Sequence, residues 1–122
     1  MAEKWNGFDT EKFDFNGREA IVVFAAEENR TAKWLMKTEY FGAFPNAEIE
    51  LVRRGFNLAY VANETRWCTD SDVDAKADYV RFLAKKYGFE KKCAVVGMSC
   101  GGMIGVKFAA KYPDMVSALY LD

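Results

Sequence analysis

The sequence predicts an α/β fold: one mostly parallel sheet with helices on both faces, a three-layer sandwich entered through an N-terminal antiparallel hairpin. Three observations carry this. Asn16-Gly17 separates two β-like runs, and Asn-Gly favours the positive backbone angles of a tight hairpin turn. Further along, apolar runs alternate with helix-like runs, the order that right-handed crossovers produce. The later apolar runs, among them "CAVV" and "VSALYL", lack in–out alternation, as strands covered on both faces do.

Element by element, residues 1–10 are polar and acidic and read as a lead-in open to disorder. In "KFDFNGREAIVVFA", Phe13 and Phe15 alternate with polar residues. After the turn the chain enters a buried strand, Ala20 to Ala26, passing from sheet edge to sheet centre. The stretch Glu27 to Phe44, "EENRTAKWLMKTEYFGAF", holds Trp34, Tyr40, Phe41 and Phe44 without a clean period. Connections of this length tend to be functional, so it is read as a pocket wall or, equally, as a short helix packing its aromatics.

Asn46 to Arg54 then reads as a helix. Pro45 and Asn46 supply a start, Ile49 and Val52 share a face, Arg53 and Arg54 suit the C-terminal dipole, and Gly55 can take the left-handed cap. "FNLAYVAN" follows as a short buried strand, Phe56 to Ala62, and "NETRWCTD" as a polar loop. The clearest helix is Asp72 to Tyr87. Ser71 and Asp74 resemble a capping box, acids crowd the start, Lys85 and Lys86 the end, and Val73, Ala77, Val80 and Leu83 form the stripe. "KCAVVGM" is the next strand, a helix from Cys100 to Tyr112 is stopped by Pro113, and "VSALYL" is the last strand.

At 122 residues the chain fits a single domain, 1–122. A net charge of −1, with 51% hydrophobic and 29% charged residues, gives no electrostatic reason to expect nucleic acid or an anionic membrane surface. No apolar run approaches a membrane span, and Met1 to Asn16 lacks the basic start and apolar centre of a signal peptide, so a cytoplasmic protein is expected. Cys68, Cys93 and Cys100 form an odd set without a C-x-x-C pair, which supports neither a disulfide framework nor a zinc site. No metal and no cofactor is implied.

The chemistry-bearing motif is Gly97-Met98-Ser99-Cys100-Gly101, a G-x-S-x-G match where a strand runs into a helix. A serine on so tight a turn brings the residues two before and two after it together, and Gly97 and Gly101 serve that crowding. The turn exposes the Ser99 hydroxyl at the carboxyl end of the sheet, where ligand crevices of open α/β folds lie. The backbone N–H of Cys100, at the helix start, becomes a donor for an oxyanion. The Cys100 thiol is the competing nucleophile, ranked below Ser99 because the glycine spacing is centred on the serine. Gly102 and Gly105 read as small residues that let the helix lie close on the sheet, and Lys107 and Lys111 as its solvated face.

These residues resemble the α/β-hydrolases, in particular bacterial serine hydrolases of dipeptidyl-peptidase-like or dienelactone-hydrolase-like type. The resemblance runs through "AIVVFA", "EYFGAF", the amphipathic helix and "VVGMSCGGMIGVKFAAKYPDMVSALYLD". It implies a Ser99 acyl-enzyme acting on an ester, thioester or amide, from a small-molecule or peptide acyl substrate, with the Cys100 N–H as an oxyanion donor. The second donor is expected from the loop after the strand ending near Ala25, at Ala26 or Glu27. The resemblance also implies an acid and a histidine that follow Ser99, yet the sequence has no histidine. The chain therefore reads as the N-terminal half of that fold, a partial domain inactive alone, whose last apolar strand is to be covered by a C-terminal half or a second chain. The alternative is a non-catalytic α/β binding or interaction module that keeps the turn for packing.

Overall fold

The computed structural model describes residues 3–39, 41, 46–65, 67, 69–98 and 100–121. Among the described residues, seven strands, β1 (Glu3–Trp5), β2 (Phe8–Phe15), β3 (Arg18–Val23), β4 (Trp34–Lys37), β5 (Asn57–Val61), β6 (Cys93–Gly97) and β7 (Val116–Leu121), form one sheet in the order β1-β2-β3-β5-β4-β6-β7. Three helices, α1 (Asn46–Arg53), α2 (Asp70–Tyr87) and α3 (Cys100–Lys111), join the later strands. The β1/β2, β2/β3 and β3/β5 pairs are antiparallel, whereas β5, β4, β6 and β7 run parallel. The expected α/β sandwich is present, with an antiparallel N-terminal part that reaches one strand further in than the hairpin.

Asn16 and Gly17, at φ of 52° and 84°, make the expected hairpin turn. Residues 3–10 do not behave as a lead-in: they form β1 and the start of β2, so β1 and not the hairpin is the sheet edge. Asn6-Gly7 repeats the same device, with φ of 49° and 89°. The largest departure lies between Glu27 and Phe44. Where a pocket wall or short helix is expected, Trp34–Lys37 is a central strand with every residue buried. Tyr40 and Phe44 of that stretch, and the Pro45 that follows it, lie outside the described residues.

The sheet separates two cores. Val73, Ala77, Val80 and Leu83 of α2 and Ile104 and Phe108 of α3 pack with Trp34, Met36, Val61 and Val95 on one face; Val52 of α1 packs with Leu35, Leu58 and Val96 on the other. Three layers result. The N-cap of α2 is Thr69, whose side chain accepts from the Asp72 N–H, in place of the expected Ser71; Ser71 instead accepts from Arg18. Gly88, at φ of 71°, closes the other end by donating to the Ala84 carbonyl. Lys107 and Lys111 are more than a solvated face. They pair with Asp70 at 3.1 Å and Asp74 at 2.8 Å, tying α3 to the start of α2. β7 is the far edge, with Leu119, Tyr120 and Leu121 exposed. Among the described residues, no helix is long and apolar enough to cross a membrane.

Candidate active site

The four parallel strands place their carboxyl ends along one edge of the sheet, and there β6 hands the chain to α3. Ser99 itself lies outside the described residues, as do Cys68 and Asp122, so the site is defined by what surrounds it. The chain reverses between Met98 and Gly101, whose N–H donates to the Met98 carbonyl at 2.8 Å. Cys100 opens α3, and the N–H groups of a first helical turn have no intrahelical acceptor, so they point outward as donors.

The glycines are explained by space. A Cβ on Gly97 would stand 2.6 Å from the Gly101 carbonyl oxygen and 2.8 Å from Gly102 Cα, backbone that cannot swing aside. A Cβ on Gly101 would meet Thr38 Oγ1 at 2.9 Å and Glu39 Cβ at 3.1 Å. Gly97 therefore answers the crowding of the turn upon itself, while Gly101 answers the end of β4. Gly105 lies against the sheet, 3.4 Å from Val95 and Leu119 for the same imagined atom, and Gly102 is looser at 3.8 Å or more.

The end of β4 is held on every side. The Thr38 N–H donates to Val96 at 3.1 Å, its hydroxyl donates to the Gly101 carbonyl at 2.6 Å, and its own carbonyl accepts from Asn63 Nδ2 at 2.7 Å. Asn63 is in turn fixed by the buried Lys76 of α2, which donates to its Oδ1. A chain of hydrogen bonds thus runs from α2 through the loop after β5 to the start of α3. Beside it, the Glu39 carboxylate accepts from the Tyr60 hydroxyl at 3.2 Å. Burial, with the Glu39 charge second, pushes that phenol far above its ordinary pKa, so it remains a donor across the working pH range.

Two buried ion pairs frame this edge. Arg18 donates to Asp72 at 2.6 Å, and Asp72 also accepts from the Glu64 and Thr65 N–H groups, which pins the loop after β5. Lys37, at the end of β4, donates to Glu48 of α1 at 2.6 Å with both side chains out of solvent.

Of the residues singled out from sequence, Gly97, Cys100 and Gly101 meet at this turn. Ala26 and Glu27 do not. They follow β3, which runs antiparallel to β5, and the adjoining Ala25 N–H donates to Asn57 at the amino end of β5. They sit at the opposite edge of the sheet and cannot serve the turn. The segment that reaches it is Thr38–Glu39, and the missing clue was β4 itself: once Trp34–Lys37 is a strand, the loop after it falls beside Gly101.

A sequence profile of the α/β hydrolase fold matches residues 54–122, more than half of the chain and all of α2, β6, the turn, α3 and β7 up to the last described residue. The chain belongs to the α/β hydrolase fold family. A protein of Aquifex aeolicus (strain VF5), provisionally named a carboxymethylenebutenolidase, is 37% identical over 49 residues, which are 40% of this α/β hydrolase chain and 20% of that protein. Among solved structures, a cold-adapted esterase from an Arctic intertidal metagenomic library aligns with a TM-score of 0.66 at 14% identity, over 93% of this chain and 58% of the esterase. A provisionally named dipeptidyl aminopeptidase IV from Bacteroides ovatus aligns with a TM-score of 0.71 at 12% identity, over 90% of this chain and 20% of its own. The α/β hydrolase chain thus spans less than two thirds of the length of each of these relatives.

Proposed function

We propose that this chain carries the nucleophile half of a serine hydrolase that cleaves an ester, thioester or amide. In this reading Ser99 Oγ attacks the acyl carbon and its proton passes to a base. The leaving group departs with that proton, and water then releases the carboxylate from the acyl-enzyme. The Cys100 N–H, heading α3, and an N–H of the segment after Thr38, whose own N–H goes to Val96, stabilise the oxyanion. Ala26 and Glu27 have no part. The observation that carries the proposal is the packing of Gly97 against Gly101 and of Gly101 against Thr38: it is the crowding that a nucleophile elbow demands, next to the end of a second parallel strand. The named relatives, an esterase and an aminopeptidase among them, act within the same broad class of chemistry.

The 122 residues contain no histidine. The base and its orienting acid are therefore assigned to polypeptide outside these residues, which would also cover β7. The lack of histidine favours one other reading, a non-catalytic module that retains the turn for packing. A fluorophosphonate probe decides between them. Applied to the native protein from its source cells, with whatever polypeptide accompanies it, and to the isolated chain, it should label Ser99 in the former and lose that label in Ser99→Ala. No Ser99-dependent labelling in either form overturns the hydrolase reading and leaves the module.

A further inference from the structure

A cavity of about 500 Å³ lies far from the turn just described, between α2 and the segments that lead into β6 and β7. Its floor is apolar, made by Val80, Ala84 and Met115, and its rim carries Arg81, Lys85, Lys91 and Asp114. The volume falls within the range of small-molecule sites, and the mix of an apolar floor with a few polar groups at the mouth is the lining such sites have. Lys91 and Asp114 precede the strands that end at the elbow side, so the cavity opens at the opposite edge of the sheet. The length of β6 alone separates the two places by roughly 15 Å.

The charge around it is lopsided. Between residues 81 and 92, Arg81, Lys85, Lys86, Lys91 and Lys92 face only Glu90, in a chain of net charge −1. Lys86 turns away and stacks over Phe13, Phe82 and Tyr87. Arg81 has one short contact, with the exposed Asp78 at 3.0 Å. Lys85 and Lys91 have no ion pair among the described residues. The rim of this apolar concavity thus holds two lysines, Lys85 and Lys91, without an ion pair among the described residues, against the single carboxylate of Asp114, while Arg81 is paired with Asp78.

We propose that this cavity binds a monocarboxylate with a short apolar tail, the tail on Val80, Ala84 and Met115 and the carboxylate between Lys85 and Lys91. This site is separate from the proposed catalytic turn and does not depend on it. Each half of the ligand answers one half of the lining. An uncharged alcohol would leave the two lysines unused, and an ammonium would meet both of them with Asp114 as its one counter-charge.

Two methionine methyl groups make the test direct, since Met115 lines the cavity and Met98 flanks the elbow turn. In the whole chain carrying 13C-methyl methionine, octanoate should shift the Met115 resonance saturably and leave Met98 in place, in wild type and in Ser99→Ala alike. Octan-1-ol and octylammonium should bind at least tenfold more weakly. Lys91→Glu, a substitution at an exposed residue, should weaken octanoate at least tenfold, and Ala84→Trp should abolish the shift by filling the cavity. If Ala84→Trp fails to fold, Lys91→Glu and Lys85→Glu carry the test. The proposal falls if octanoate shifts only Met98, if octylammonium binds as well as octanoate, or if both charge reversals leave the affinity within twofold of wild type.

Discussion

Replacing Gly97 by alanine should destabilise the protein, while the same change five residues on, Gly102→Ala, should stabilise it. At Gly97 the added methyl would lie 2.6 Å from the Gly101 carbonyl oxygen and 2.8 Å from Gly102 Cα. Ordinary contact begins at about 3.5 Å, so the start of α3 must move by several tenths of an ångström, and overpacking of this kind costs about 2 kcal/mol. The lower entropy of the unfolded alanine chain returns about 0.5 kcal/mol. The balance, about 1.5 kcal/mol, corresponds to a drop in Tm of about 6 °C for a domain of this size. At Gly102 the nearest atoms would be 3.8 Å and 4.0 Å away, so only the helical gain of alanine over glycine remains, about 0.5–1 kcal/mol. Calorimetry and urea unfolding of the two variants measure the pair. If Gly97→Ala is neutral or stabilising, or if the two variants shift in the same direction, steric crowding is not why glycine stands at the end of β6.

Two further outcomes follow from the buried charges. Lys37→Met alone should cost about 3–5 kcal/mol in urea unfolding, because Glu48 is left charged and buried, whereas Lys37→Met with Glu48→Met should recover most of the loss. Burial works against the Asp72 carboxylate, but the Arg18 guanidinium and the Glu64 and Thr65 N–H groups outweigh it and hold its pKa below the ordinary value. A lowered folded-state pKa contributes stability above the unfolded value, about 3.9, and that contribution is lost as pH falls through the folded one. Asp72→Asn should therefore lose most against wild type at neutral pH, and the gap should narrow below about pH 4. A gap that stays constant from pH 7 to pH 2.5 would exclude the carboxylate as its source.

Most of the layered fold was legible in the sequence because its signals are local. Asn16-Gly17 dictates a hairpin, the 3.6-residue stripe of α2 dictates a helix that covers a sheet, and the glycine spacing around Ser99 dictates a crowded turn. What was hidden depends on partners distant in sequence. Trp34–Lys37 is only four residues long and ends in a lysine, which reads as a return to solvent. The lysine is buried because Glu48, eleven residues on and in another element, neutralises it. Missing that strand moved the second oxyanion donor to Ala26 or Glu27, since the loop after the last recognised strand was the natural place to look. The strand at Glu3–Trp5 was different, for its signal was present in Asn6-Gly7 and carried the same meaning as Asn16-Gly17. The capping of α2 by Thr69 in place of Ser71 follows from Arg18, which recruits the Ser71 hydroxyl from the start of β3.

The order of strands has a consequence for how the chain reaches this structure. β4 is made before β5 but lies between β5 and β6, so the middle of the sheet closes only after α1 and α2 have both been laid across it. Until then β4 can pair on its β5 side alone, and the side of Leu35, Met36 and Lys37 that meets β6 stays open. Assembly from such non-local pairings is slow, in the range of milliseconds to seconds, because loops must close before any contact rewards them. The strand that ends beside Gly101 is thus among the last parts of the sheet to be enclosed, and Thr38 comes into register with the start of α3 only as the fold completes.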